Sequence, residues 1–244
     1  MPFSLSALLD RPDIWRGDSL NRAGAPVVSS GFPELDAGLP GGGWPAGALT
    51  EILPAHEGIG ELRLLGPALA GLSRRGLRLA WIAPPHLPYA PALAAAGIDI
   101  AKLVIVRTGS LKETLWAAEQ ALAANACGAV LAWLPVRPEE ANRGAKYTEL
   151  RRLQIAAEGG RALAFLFRPP ETAGESSPAA LRIALGTACG GLAAHVLKRR
   201  GTPLARPILL PAMPPATRGK NSHVDRHPTA AAAARDFPAR LVHA

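Results

Sequence analysis

The chain has 244 residues, of which 48% are hydrophobic and 19% are charged. This balance is ordinary for a globular protein with a large core, and it excludes a chain that is disordered throughout. The formal net charge of +8 favours an acidic partner, either nucleic acid or protein, without deciding between the two.

The predicted elements open with an N-terminal arm, residues 1–26. A short helix is expected at residues 4–9, and Pro12 ends its pattern. A segment punctuated by glycine and proline follows at 27–47, with a short amphipathic turn at 32–39.

Apolar runs of strand length alternate with helical patterns along the rest of the chain. The predicted strands are 48–53, 77–83, 103–107, 129–134, 162–167, 181–185 and 192–198. The predicted helices are 62–72, 91–97, 110–125 with Ser110 as its N-cap, and 139–159. This alternation predicts an α/β domain over residues 27–210, whose mostly parallel sheet is covered by helices on both faces. Residues 211–244 lack periodicity and are expected to form a flexible basic tail.

The loop after the first core strand, LPAHEGIGEL at 53–62, stands where many nucleotide-binding proteins keep a phosphate-binding loop. A working loop needs glycines whose N–H groups face the phosphates, a lysine that reaches them and a hydroxyl for Mg²⁺. Here Ile59 takes the lysine position and Gly60 takes the hydroxyl position. The pattern therefore indicates a degenerate phosphate loop, whose residues are Pro54, His56, Glu57, Gly58, Ile59 and Gly60.

Three stretches resemble the bacterial recombinase RecA and its ATPase-core relatives. They are SSGFPELD at 29–36, GGGWPAGALTEI at 41–52 and GIDIAKLVIV at 97–106. Two further stretches, LLDRPDIWRG at 8–17 and KRRGTPLARP at 198–207, are similar to a narrower group, the translesion DNA synthesis-associated ImuA proteins. That group also resembles the cell-division inhibitor SulA. The resemblance implies a RecA-like core over about residues 27–209.

Other catalytic positions of the RecA family are altered as well. The activating glutamate would fall near Pro85, where Ala83 and Pro84 bring no carboxylate either. The family's magnesium-binding aspartate is replaced in the run Ala132-Trp133-Leu134, and the polar residue that couples nucleotide to DNA corresponds to Arg168. We therefore expect no ATP hydrolysis, no cofactor and no bound metal.

The resemblance implies a non-catalytic adaptor in SOS-induced translesion DNA synthesis. Its expected partners are an inactive Y-family-like polymerase subunit and an error-prone replicative-type DNA polymerase. RecA itself is a candidate partner, because a RecA-like surface can mimic a filament subunit. The alternative is a SulA-like inhibitor of the tubulin-like division protein, and a true RecA-type ATPase ranks last because of Ile59 and Gly60.

Residues outside the loop suggest contacts with partners. Trp15 and Trp44 are candidate anchors for a partner protein, because they lie in irregular stretches beside proline and glycine. Leu8 and Leu9 are candidates as well, because the predicted helix at 4–9 is too short to be stable alone and must pack on something. A basic set at the end of the last predicted strand is a candidate contact with DNA or a neighbouring subunit, against the simpler interpretation as a solvated edge. This set consists of Lys198, Arg199, Arg200 and Arg206.

Cysteine and histidine usage argues against metal and disulfide chemistry. Cys127 and Cys189 form neither a ligand pair nor a disulfide framework, and the six histidines have no zinc-binding spacing. No apolar run reaches the ~18 residues of a membrane span, and the first residues do not resemble a secretory signal. We therefore expect a cytoplasmic protein with no membrane contact. The family resemblance implies that it is associated with the nucleoid during DNA damage.

Overall fold

The computed structural model describes residues 26–134 and 144–211. The strands are β1 (Val27–Val28), β2 (Trp44–Pro45), β3 (Ala48–Pro54), β4 (Arg78–Ile82), β5 (Leu103–Val106), β6 (Cys127–Trp133), β7 (Leu163–Phe167), β8 (Leu181–Ala188), β9 (Gly191–Lys198) and β10 (Ile208–Pro211). The helices are α1 (Pro33–Gly38), α2 (Glu61–Arg74), α3 (Ala90–Ala95), α4 (Leu111–Ala123) and α5 (Tyr147–Glu158), with short 3-10 helices at Ile100–Lys102 and Pro170–Gly174.

Eight strands form one sheet in the order β10-β9-β8-β3-β7-β6-β4-β5. β3 lies inside it and pairs in parallel with both β7 and β8, whereas β9 and β10 are antiparallel additions at one end. β1 and β2 form a separate antiparallel pair. The prediction of an α/β fold with a mostly parallel sheet is confirmed. Because parallel strands end at one edge, the loops that follow β3, β4, β5, β6 and β7 gather there.

Helices cover the two faces of the sheet and bury a separate apolar core on each. Leu69 of α2 belongs to one core and Leu153 of α5 to the other. The side chains of β3 point to both faces, since Ile52 belongs to the first core and Leu49 to the second. This division follows from the alternation of side chains along a strand.

The start of α4 shows how local sequence fixes an element. The Ser110 hydroxyl accepts the backbone N–H of Glu113 at 3.2 Å, and the Glu113 carboxylate accepts the N–H of Gly109 at 2.6 Å. Both bonds satisfy donors that a helix N-terminus leaves free. The predicted N-cap at Ser110 is confirmed.

Several short elements were not predicted. β1 and β2 have two residues each and lie among glycines and prolines, so their sequence carries no periodic signal. β10 ends at Pro211, the first residue of the predicted tail, which pairs with Gly191 of β9. The predicted helix at 4–9, and residues 139–143 of the predicted fourth helix, lie outside the described residues.

Candidate functional site

A cleft of 720 Å³ opens at the edge of the sheet where the parallel strands end. Its walls are the loops that follow β3, β4, β5, β6 and β7. The lining residues are Pro54, His56, Glu57, Ala83, Pro84, Pro85, His86, Leu87, Pro88, Ile105, Arg107, Thr108, Ser110, Thr114, Trp133, Leu134, Phe167, Arg168, Pro169 and Pro170. This edge is the usual ligand-binding position of parallel α/β sheets, so the cleft is the candidate functional site.

The loop between β3 and α2 divides into two halves with different surroundings. Pro54, His56 and Glu57 line the cleft, and the side chains of His56 and Glu57 are exposed. Ile59 is half-buried and packs against the core that contains α2. The side chain at the predicted lysine position is therefore used for apolar packing.

The N-terminus of α2 is occupied by a side chain of the helix itself. Gly60 is the N-cap, with φ of 113°, and its backbone N–H donates to the Glu61 carboxylate at 3.1 Å. A helix N-terminus attracts anions because its N–H groups are unpaired and its dipole end is positive. Glu61 supplies that negative charge from within the chain, so a phosphate entering here would meet a carboxylate.

The opposite wall is a proline-rich loop after β4. Pro84, Pro85 and His86 line the cleft where the RecA resemblance would place an activating glutamate. His86 Nε2 lies 3.3 Å from the Glu57 carboxylate, across the mouth of the cleft. Glu57 therefore contacts His86, while the His56 ring lies 3.2 Å from the backbone oxygen of Glu57. Ala83 has a φ of 52°, a left-handed conformation that non-glycine residues rarely adopt.

Aromatic rings form part of the cleft wall. Trp133 of β6 stacks on Phe167 of β7 with centroids 4.5 Å apart and planes 11° from parallel. Leu134 follows Trp133 and is buried. The end of β6, where the RecA resemblance would place a magnesium ligand, thus presents apolar side chains. Trp81 of β4 is buried behind this wall, and its ring centroid lies 5.7 Å from that of Trp133.

A buried ion cluster lies beside the cleft, and sequence reasoning missed it. Its centre is Glu51 of β3, which is fully buried in the middle of the sheet. The Glu51 carboxylate accepts Nε of Arg182 at 2.7 Å and the Ser177 hydroxyl at 2.5 Å. Arg168 Nη1 lies 3.3 Å from the same carboxylate, and its Nη2 donates to Glu175 at 2.7 Å.

The cluster fixes the connection between β7 and β8. The Arg182 guanidinium also donates to three backbone carbonyls of that connection, those of Thr172, Ala173 and Glu175. Arg168 lines the cleft, but its charge is compensated by two carboxylates. A compensated arginine gives this wall a stable shape rather than a free cation.

The predicted basic set is only partly free. The Lys198 ammonium donates to the Ser177 carbonyl at 2.6 Å, and the Arg199 guanidinium donates to the carbonyls of Gly38 and Thr202. Arg200 and Arg206 are exposed. Burial lowers the pKa of Lys198, and the nearby Arg182 charge adds to this, whereas Glu51 opposes it. None of the four lines the cleft.

The prediction that Trp44 is a partner anchor is wrong, because its side chain is buried. Its ring is fully buried and meets the Phe165 ring edge-on, with centroids 5.2 Å apart. The irregular surroundings of Trp44 suggested a surface position, but the short strand β2 carries it into the core. Leu8, Leu9 and Trp15 lie outside the described residues.

The described residues contain no group of three His, Cys, Asp or Glu side chains placed to hold a metal ion. Among the helices of the described part, none is long and apolar enough to span a membrane. Burial raises the pKa of the Cys127 thiol, against the opposing effect of Arg78. Such a thiol is a weak nucleophile.

The fold and the cleft define a class: an α/β protein with a ligand-type cleft at the edge where its parallel strands end. The chain is 33% identical over 155 residues to Protein ImuA of Caulobacter vibrioides strain NA1000, over 61% of this chain and 60% of that protein. It is also 34% identical over 108 residues to Cell division inhibitor SulA of Edwardsiella piscicida, over 44% of this chain and 60% of that protein.

A third relative is matched over a larger part of its length. The chain is 30% identical over 124 residues to Cell division inhibitor SulA of Yersinia pestis strain Pestoides F, over 51% of this chain and 69% of that protein. The chain belongs to the family of ImuA- and SulA-related proteins. It spans 60% of the length of the ImuA relative, and no family model matches it.

Proposed function

We propose that this chain is a RecA-like protein without ATPase activity that acts as an adaptor in DNA-damage-induced, mutagenic translesion synthesis. The observation that supports it best is the use made of the loop between β3 and α2. Ile59 packs into the core, and the Glu61 carboxylate accepts the N–H of Gly60 at the helix N-terminus. We expect these features in a loop that descends from a phosphate-binding loop and no longer binds nucleotide. The similarity to Protein ImuA supports the proposed role in DNA-damage-induced mutagenesis.

Other walls of the cleft support the absence of phosphoryl transfer. Such transfer needs a positioned metal ion and a residue that orients the nucleophile. Pro85 and Leu134 occupy those places and offer neither a carboxylate nor a hydroxyl. At the mouth of the cleft, the side chains of His86 and Glu57 contact each other.

The adaptor would work through partner proteins. We propose an inactive Y-family-like polymerase subunit and an error-prone replicative-type polymerase as its partners, with RecA as a further candidate and the nucleoid as its place of action during DNA damage. The residues Leu8, Leu9 and Trp15 are the proposed anchors in the N-terminal arm. Purification of the tagged full chain after DNA damage, with identification of co-purified proteins, tests this proposal.

ATP provides the direct test of the proposed loss of activity. The purified chain should neither hydrolyse ATP nor gain thermal stability from ATP with Mg²⁺, while active RecA assayed alongside does both. Hydrolysis near ~1 per second, an ordinary enzyme rate, would contradict the proposal if it disappeared when residues 53–60 were changed.

A SulA-like division inhibitor is the second candidate function. It is favoured by the match that covers 69% of the Yersinia pestis protein. The two candidates differ in their partners. An inhibitor should bind the tubulin-like division protein, block its polymerisation and cause filamentous cells when overproduced. If the chain does this, and no polymerase subunit co-purifies with it, the inhibitor function replaces the adaptor function.

A further inference from the structure

A second, smaller pocket lies away from the cleft, where α5 ends, β8 begins and β9 ends. Its volume is 200 Å³, which is the space of about seven water molecules. Arg151 and Glu158 of α5 form one side. Lys198, Arg199 and Arg200 form the other. Four cations therefore surround the pocket against one carboxylate, although α5 and the end of β9 are far apart in sequence.

Three of the four cations have no carboxylate partner in the pocket, and Arg151 has a long contact with one. Lys198 and Arg199 donate to backbone carbonyls, which hold the side chains but carry no net charge. Arg200 is exposed, and Arg151 Nη1 lies 3.9 Å from the Glu158 carboxylate, at the limit of ion pairing. Glu158 also accepts from the Gln154 amide at 2.9 Å, and it is the one carboxylate that lines the pocket.

The remaining wall is small and close to the backbone. Pro178, Ala179 and Ala180 line it, and Ala179 is fully buried. Short side chains allow an extended polymer to approach the arginines closely. Burial and the charge of Arg182 lower the pKa of Lys198, so an anion in this pocket would also stabilise its ammonium form.

We propose that this pocket binds the phosphate backbone of a nucleic acid. Phosphate fits the cations because a guanidinium offers paired N–H donors in a planar fork that matches two phosphate oxygens. The net charge of +8 attracts a polyanion from a distance. Binding here does not depend on the proposed adaptor role, because the pocket shares no residue with the cleft.

The test compares two charge-matched double variants of the full chain. Arg151→Gln with Arg200→Gln removes two pocket cations. Arg63→Gln with Arg75→Gln removes two exposed cations, one in α2 and one directly after it, on the other face of the sheet. Fluorescence anisotropy with labelled single-stranded DNA, duplex DNA and RNA is recorded over a range of salt concentrations. Melting curves confirm that each variant is folded.

We expect the pocket variant to bind nucleic acid at least about tenfold more weakly and to reduce the salt-dependence slope by about two, one for each lost phosphate contact. The control variant should change affinity by less than about twofold. Arg200→Lys should preserve the slope, because the charge remains. The three probes show whether DNA or RNA supplies the backbone.

Three outcomes would overturn the proposal. Equal losses in both double variants would mean that overall charge, rather than this pocket, attracts the polymer. Unchanged binding in the pocket variant would place the contact elsewhere. If polyglutamate of matched charge displaced the nucleic acid equally well, the pocket would be a site for an acidic protein surface. These binding measurements do not depend on whether the chain hydrolyses ATP or binds a polymerase, so the proposed function can fail while this proposal stands.

Discussion

Replacement of Glu51 by glutamine should destabilise the protein more than any other single charge removal in its sheet. Glu51 is fully buried in β3, where its carboxylate accepts Nε of Arg182 at 2.7 Å. It also faces the buried guanidinium of Arg168 at 3.3 Å. The variant keeps the shape of the side chain but leaves two buried arginines facing a neutral amide.

The expected cost follows from the uncompensated charge. Removing one partner of a buried ion pair typically destabilises a protein by ~3–5 kcal/mol. Arg168 keeps Glu175, whereas Arg182 keeps only backbone carbonyls, so most of this cost comes from Arg182. At about 2–4 °C per kcal/mol for a domain of this size, the melting temperature should fall by about 6–20 °C.

Thermal and urea unfolding, followed by circular dichroism, measure this effect. Glu175→Gln is the matched control, because it removes the same charge from a side chain that is 54% exposed, and it should cost less than about 1 kcal/mol. Ser177→Ala removes one hydrogen bond to the same carboxylate and should cost ~1 kcal/mol, which gives a graded variant if Glu51→Gln does not fold. A melting temperature within about 2 °C of the parent protein for Glu51→Gln would refute the reasoning.

Other predictions concern tryptophan, cysteine and the tail. Trp44→Ala should cost ~3–5 kcal/mol in urea unfolding because its ring is fully buried. Trp116→Ala, at a side chain that is 62% exposed, should change stability by less than about 0.5 kcal/mol. At pH 8 iodoacetamide should modify the exposed Cys189 at least about tenfold faster than Cys127, whose pKa is raised by burial, as peptide mass spectrometry would show. Removal of residues 212–244 should leave the melting temperature unchanged, since that stretch lacks periodic apolar residues; a collapse would make the tail a structural element.

The order of strands and helices could be predicted from the sequence because its signals are local. Ser110 and Glu113 are three positions apart, and they cap α4 as expected. Strands β6 and β7 lie inside the sheet and are nearly continuous apolar runs, which the burial of a parallel sheet on both faces requires. The position of the cleft follows from the same rule, since it needs only the knowledge of where parallel strands end.

The ion cluster could not be found in this way because its members are far apart in sequence. Arg168 and Arg182 contact Glu51, although they follow it in the sequence by 117 and 131 positions. A signal did exist, since Glu51 and Arg182 each interrupt an apolar strand and carry opposite charges. The prediction of Trp44 as a partner anchor was wrong for a related reason. β2 has only two residues, and the burial of Trp44 becomes visible only through the pairing of β2 with β1 and the contact with the Phe165 ring.

The central position of β3 has a consequence for synthesis. Its two neighbours in the sheet, β7 and β8, are translated more than a hundred residues after it, and Ser177 follows Glu51 by 126 positions. Closing such long loops makes these pairings slow relative to the β8–β9 hairpin. An emerging chain must therefore carry Glu51 and an unpaired apolar strand until the sheet closes around it. We therefore expect a chain that is released before β8 is made to aggregate, because its apolar strand lacks a neighbour.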